Sequence, residues 1–456
     1  MVLKKNLGAL LFLFFWGAVF SQEKQLEKAN EAFRNYAYIE AREMFLKAIE
    51  KGGNSIELYE RLGDSYYFNG ELEKAAQWYR VLSSLYPEKV KSEYRIRYAQ
   101  CLKSAEGDEK EDDVTSQLYA SHSDDQKEEE VYNLINDVSF KKEKSKKYIV
   151  DVLNINSKYS DYAPSFNNGE LVFASSRNTR NFSAVVHEWN NQPFLDLYTT
   201  TKGTVKKQSV KKLKGDINSK FHESSATFSK DRKTVYFTRN NYSKRKSKTN
   251  TEGVVLLKIY RARYEKGKWG NVEELPFNSD EYSIAHPALS YDEKFLYFAS
   301  DMPGTQGKSD LYVVAINEDK SFGIPKNLGS QINTSGRETF PYISDKGKLF
   351  FASDGHQGIG GLDIFMAMEN KEGLVEVYNL GEPINSPKDD FTFIINEENK
   401  TGYFASNRSG GKGDDDIYGF RQLISFPEQY HSKPRIMKKL ERIIELKPSK
   451  EGTTSL

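Results

Sequence analysis

The sequence predicts a multidomain α + β protein in which N-terminal helical repeats precede a five-bladed β-propeller. Three observations predict it. An apolar strand centred on a phenylalanine recurs at 173, 237, 298, 351 and 404, with separations of 64, 61, 53 and 53 residues. A lone strand-like segment, 148–154, precedes the first copy with no partner of its own. Small residues recur at helical spacing between residues 22 and 104. A period near fifty built of strands and turns is the signature of propeller blades, and small residues at helix crossings are that of stacked helical hairpins.

Each of the five copies has the same parts. A short strand such as Ala163-Pro164-Ser165-Phe166 or His286-Pro287-Ala288-Leu289 is followed by an apolar strand ending in Phe-Ala-Ser or a variant, as in Leu296-Tyr297-Phe298-Ala299-Ser300. A polar or glycine-rich loop then leads to Asp196-Leu197-Tyr198, Asp310-Leu311-Tyr312, Asp363-Ile364-Phe365 or Asp416-Ile417-Tyr418, with Lys258 standing in place of Asp in the second copy. Fourth strands follow the first four copies, and none is evident after Tyr418. The segment around Val150 therefore supplies the missing strand and closes the ring, leaving no open sheet edge. The propeller is expected over 148–422.

Upstream, residues 56–87 read as one tetratricopeptide unit: Tyr59, Leu62, Gly63 and Tyr66 on a first helix, Ala75, Tyr79 and Leu82 on a second, and Pro87 ending the pair. A weaker copy carries Ala29, Ala32, Ala41, Phe45 and Ala48, and a third starts at Tyr94. Such stacks present a concave surface to peptides, although bracing the neighbouring domain is the alternative role. Residues 105–147 read as a charged linker, and 423–456 as a tail whose Ile436, Leu440, Ile443, Ile444 and Leu446 mark one amphipathic helix.

The first 21 residues read as a signal peptide, with Lys4 and Lys5 before an apolar run from Leu7 to Phe20, and cleavage expected between Ser21 and Gln22. That run is short for a retained membrane span. A net charge of +1 gives the chain no global pull toward nucleic acid. Cys101 is the single cysteine, so no internal disulfide can form.

The sequence offers few groups in patterns that support catalysis or metal binding. Six histidines stand at 122, 187, 222, 286, 356 and 431 without metal-ligand spacing, so no metal or other cofactor is expected. The glycine-rich loops ending at Asp310, Asp363 and Asp416 read as tight connections in which Asp caps backbone, in preference to calcium sites, because the spacing of a ligand loop ending in Glu is missing. The basic loop Lys244-Arg245-Lys246-Ser247-Lys248 reads as a solvated charge run. No nucleophile elbow, zinc-protease or phosphate-loop motif occurs, and the chain is not expected to be an enzyme. The competing reading is a carbohydrate-binding or carbohydrate-hydrolysing propeller, which requires carboxylates clustered at a mouth of the central channel.

The repeats, in particular Trp189 with Gln192-Pro193-Phe194-Leu195-Asp196-Leu197-Tyr198, His222-Glu223 before Ala226-Thr227-Phe228-Ser229, and Tyr236-Phe237-Thr238-Arg239, resemble the PD40 type of WD40-like propeller, related to those of TolB. The order of segments resembles OmpA-family envelope proteins that accompany type IX secretion and gliding machinery. The resemblance implies a periplasmic protein at the inner face of the outer membrane, with envelope proteins of a secretion or gliding apparatus as partners. Trp189, His222, Glu223 and Arg239 are the implied partner-binding residues, with packing inside blades one and two as their alternative role. Members of that family commonly continue into an OmpA domain that this sequence lacks, so peptidoglycan contact is not part of the expectation.

Overall fold

A computed structural model describes residues 24–103, 147–177, 186–187, 189–200, 209–243, 246–369 and 375–426. The expected signal cleavage at Ser21 and Gln22, most of the linker and the tail helix lie outside the described residues. Contacts divide the chain into two compact units, Met1–Lys141 with Phe182–Pro193, and Lys142–Asn181 with Phe194–Leu456.

The first unit is built of five helices among the described residues: α1 over 24–34, α2 (Tyr38–Glu50), α3 (Ile56–Tyr67), α4 (Leu72–Leu85) and α5 (Ser92–Lys103). The Ser55 side chain caps α3 by accepting the Leu58 N–H, and Pro87 opens a single 3-10 turn after α4. Ala41, Phe45, Leu62, Ala75 and Leu82 are fully buried, forming the apolar stripe along which α2, α3 and α4 pack. Gly63 of α3 packs directly against the Tyr79 ring of α4, since a Cβ there would lie 2.4 Å from Cε1 of Tyr79. Gly63→Val should therefore destabilise this unit by about 2 kcal/mol through overpacking. The check is loss of helical ellipticity at lower temperature in the full-length protein, and an unchanged melt would refute the crossing argument.

Among the described residues, the second unit is a ring of five four-stranded sheets. Blade one is β2 (Asp161–Asn167), β3 (Glu170–Ser175), β4 (Asp196–Thr200) and β5 (Val210–Lys212). Blade two is β6 (Glu223–Phe228), β7 (Thr234–Asn240), β10 (Leu257–Glu265) and β11 (Lys268–Glu274), with the small hairpin β8–β9 at 242–247 looping out. Blade three runs through β12 (Ile284–Leu289), β13 (Phe295–Ser300), β14 (Asp310–Ala315) and β15 (Lys326–Asn327). Blade four has β16 (Glu338–Ile343), β17 (Leu349–Ser353), β18 (Asp363–Glu369) and β19 (Val375–Asn379). Blade five combines β20 (Asp390–Asn396), β21 (Thr401–Ser406) and β22 (Asp416–Gln422) with β1 (Tyr148–Val152) from the far end of the unit. Tyr148 pairs with Gln422, Val150 with Phe420 and Val152 with Tyr418, so the ring is closed by backbone hydrogen bonds.

The five recurring phenylalanines are at most 1% exposed, each stacked between neighbouring blades. Burying each contributes roughly 2–3 kcal/mol. No helix among the described residues is long and apolar enough to cross a membrane.

Candidate functional site

The innermost strands β2, β6, β12, β16 and β20 contact one another in sequence around the axis and line a central channel. Each contains a bulge at which one non-glycine residue takes a positive φ: Ala163, Ser225, His286, Phe340 and Thr392, with φ between 45° and 57°. The bulge turns side chains toward the axis, and Phe340, Phe391, Tyr162 and His286 fill the throat. Phe340 lies 5.2 Å from Phe391 and 3.8 Å from the His286 ring, centroid to centroid. A cavity of about 70 Å³ remains beside them, and the buried Thr392 Oγ1 at its wall has no hydrogen-bond partner.

His286 bonds to Ser225 Oγ through Nδ1 at 2.8 Å. Burial pushes its imidazole down to about 3. Because the unfolded chain protonates near 6.5 while the folded chain stays neutral, His286 costs stability as pH falls through 6.5 toward 3, about 2 kcal/mol between pH 7 and pH 5. Buried carboxyls whose values are raised, including Glu223, Glu338 and Asp415, act with the opposite sign. The clean readout is thus a difference: relative to wild type, His286→Asn should gain about 2 kcal/mol on going from pH 7 to pH 5. Denaturant unfolding at both values tests this, and a pH-independent gap would contradict it.

At the mouth where inner strands begin, a motif repeats that joins blade to blade. Asn156, Asn218, Asn278, Asn333 and Asn385 each use a side-chain amide to bond both the N–H and C=O of one residue in the preceding blade: Ile417, Leu197, Ile259, Leu311 and Ile364. Five residues after each Asn, four blades carry a fully buried acid, Asp161, Glu223, Glu338 or Asp390, while blade three, six residues on, has Ile284. These acids accept the N–H of Ser157, Ser219, Thr334 and Ser386. Three also pair with arginine: Asp161 with Arg177 at 2.6 Å, Glu223 with Arg239 at 2.8 Å, and Asp390 with Arg408. Ser176, Asn240, Asp301, Asp354 and Asn407 each take the N–H just before an inner strand, from Ser160, His222, Ser283, Arg337 and Asp389.

Because the asparagine clamp recurs in all five blades, positions where one blade departs from its neighbours stand out. Asp415 occupies a place held elsewhere by Leu195, Leu257, Ser309 and Leu362, and Asp389 one held by Ser160, His222, Ser283 and Arg337. Burial pushes the Asp415 carboxyl up to about 7, and also raises Asp389. Burial works the same way on Asp354, yet the Arg337 guanidinium outweighs it and holds that carboxyl below the ordinary range.

At the opposite mouth, where inner strands turn back, lies a cup of about 440 Å³. Its lining combines the rings of Phe166 and Tyr342 with Asn168, Lys230, Arg232 and Asp345.

The residues singled out by sequence do not converge on one surface. Glu223 and Arg239 are buried and bonded to each other. His222 sits in the blade one to blade two junction, its Nδ1 accepting the Leu195 N–H at 3.2 Å. Trp189 belongs to the helical unit, stacked on Tyr36 at 5.9 Å, edge-on to Tyr38 at 4.9 Å, and donating Nε1–H to the Phe68 carbonyl. A packing role inside blade one is therefore corrected for Trp189. The third-strand acids cap loops: Asp310 accepts from Gln306 and Gly307, Asp363 from Ile359 and Gly360, and Asp416 from Lys412 and Gly413. In blade two, Lys258 is instead bonded to Glu274 at 2.6 Å and Asp280 at 2.5 Å. Among the described residues no cluster of three or more His, Cys, Asp or Glu could hold a metal.

An Asn-Ser/Thr-x-x-x-Asp/Glu motif, at 156–161, 218–223, 333–338 and 385–390, is the sequence signal for the interblade framework, and its polar residues carry no hydrophobic periodicity. The cup had a signal too, in the unequal lengths of the inner turns.

The fold and channel define a five-bladed β-propeller with a helical unit before it. No protein-family profile matches the chain, and no curated protein sequence does. Solved structures similar to it include a thermostable family-43 glycoside hydrolase, at 15% identity and TM-score 0.40, covering 61% of this chain and 94% of that one. A putative TolB from Agrobacterium tumefaciens is similar at 13% identity and TM-score 0.35, covering 62% and 100%. An endo-arabinase from Bacteroides thetaiotaomicron is similar at 13% identity and TM-score 0.38, covering 61% and 100%.

Proposed function

We propose that this protein is a periplasmic adaptor at the outer membrane, binding protein components of a secretion or gliding apparatus through its propeller. The helical unit, read as tetratricopeptide repeats, offers a second binding surface. The observation that carries the reading is how the carboxylates are used. Those repeated in the blades are committed to arginines and backbone N–H groups, whereas the 440 Å³ cup is lined with rings, amides, cations and the single carboxylate of Asp345, a mixture suited to holding a ligand. The exported location rests on the signal-peptide pattern and on the resemblance of the segment order. Affinity purification of the tagged protein from envelopes, with identification of what co-purifies, tests it. Recovery of glycans without any envelope protein would defeat the adaptor reading.

One observation favours a second reading, a carbohydrate-hydrolysing propeller. At the strand-start mouth Asp415 and Asp389 are pushed toward the protonated form while Asp354 stays ionised, the division of labour that an acid and a base require. Release of reducing ends from envelope polysaccharide, abolished by Asp415→Asn, would establish it.

A further inference from the structure

The cup arises from a departure in blade one. Phe166 pairs with Leu171 across four residues, whereas its equivalents Phe228, Leu289 and Ile395 pair with Val235, Leu296 and Gly402 across six, and Ile343 with Leu349 across five. The shorter turn withdraws the rim on that side and leaves Phe166 41% exposed, while Ile343 and Ile395 are buried. An aromatic ring is thus laid open at the axis by the loss of chain that covers its counterparts.

Around that ring the polar groups are asymmetric. Blade two contributes Lys230 and Arg232, both exposed, and the Arg232 guanidinium gives one Nη1–H to Asn168 Oδ1 at 2.5 Å, a single bond from a group with five donors. Lys230 holds its ammonium 3.4 Å above the Tyr291 ring. Across the channel from blade two stands Asp345, from blade four. One wall therefore attracts an anion, the opposite wall accepts N–H donors, and an apolar surface lies between.

A polypeptide end presents those three features together: a carboxylate, the N–H groups beside it and a last side chain. We propose that the cup takes the free C-terminus of a partner polypeptide whose final residue is apolar. In this arrangement the carboxylate meets Arg232 and Lys230, the backbone N–H groups meet Asp345, and the last side chain lies on Phe166. The inference deepens the adaptor reading and rests on it.

The test titrates the full-length protein with acetyl-Ala-Ala-Phe bearing a free carboxylate and with its amide-terminated counterpart. Binding of the acid should be saturable, and the amide should bind at least about tenfold more weakly, the loss expected when a charge-assisted hydrogen bond goes. Arg232→Gln should abolish the preference for the acid, and Phe166→Ala should weaken both peptides. Equal affinity for the two forms, no saturable binding of the acid, or retention of a chito-oligosaccharide at Phe166 in its place would each overturn the proposal. Failure here is separable from failure of the adaptor reading: an envelope protein that co-purifies equally with wild type and Arg232→Gln removes the cup as its site and leaves the adaptor standing.

Discussion

Replacing Asn156 with Leu should lower the melting temperature of the propeller by about 2–12 °C, because it removes a side chain that joins the first blade to the last. Asn156 Oδ1 accepts the Ile417 N–H at 3.0 Å and Nδ2 donates to the Ile417 carbonyl at 2.9 Å, all in buried surroundings. The apolar substitute leaves the buried Ile417 N–H without a partner while the carbonyl keeps the Leu153 N–H; one stranded group costs about 1–3 kcal/mol, and a domain of this size loses roughly 2–4 °C per kcal/mol. Asn385→Leu makes the same chemical change at Ile364, between blades four and five, where the chain runs continuously from one blade to the next. The closure site should be the more sensitive, since β1 has no covalent link to β22 at that junction. Calorimetry of the two variants side by side decides it, and a melt of Asn156→Leu within a degree of wild type would rule out the clamp.

The second large effect is expected at Arg408. Its guanidinium bonds the fully buried Asp390, the Pro383 carbonyl at 2.8 Å and the Ile384 carbonyl, and lies 4.9 Å from the centroid of the Phe404 ring. Arg408→Met keeps most of the volume and strands the acid, a change that costs about 3–5 kcal/mol. Even with its partner, burial pushes the Asp390 carboxyl up to about 6. Without Arg408 the carboxyl moves further up and folds as the neutral acid, so the defect should be largest above pH 7 and shrink as pH falls and protonation becomes free. Urea unfolding at pH 8 and pH 5.5 checks this. A defect that grows on acidification would reverse the assigned roles.

Sequence made the blade count legible because a buried strand writes its own pattern. Phe173, Phe237, Phe298, Phe351 and Phe404 had to be apolar wherever two sheets face each other, and the gap after Tyr418 matched the unpaired segment at Val150. Partner pairs among polar residues were not legible in the same way. Glu223 and Arg239 looked like exposed recognition groups, yet they lie on adjacent strands directly opposite each other, and only the register of β6 against β7 reveals that they neutralise one another. Trp189 was placed with blade one by its position in the chain, although its rings of contact are Tyr36 and Tyr38, more than a hundred residues earlier. The cup is made by missing residues and leaves no motif, so its trace in the sequence is the unequal length of the inner turns.

The closure of blade five by β1 has a consequence for biogenesis. Synthesis runs from the N-terminus, so the segment that seals the ring is made first and its mate, β22, last. Until the final hairpin emerges, both would-be partners present bare strand edges, which are templates for aggregation, and a pairing so distant in sequence forms slowly. An emerging chain of this design keeps an unsealed edge for as long as its two ends are apart.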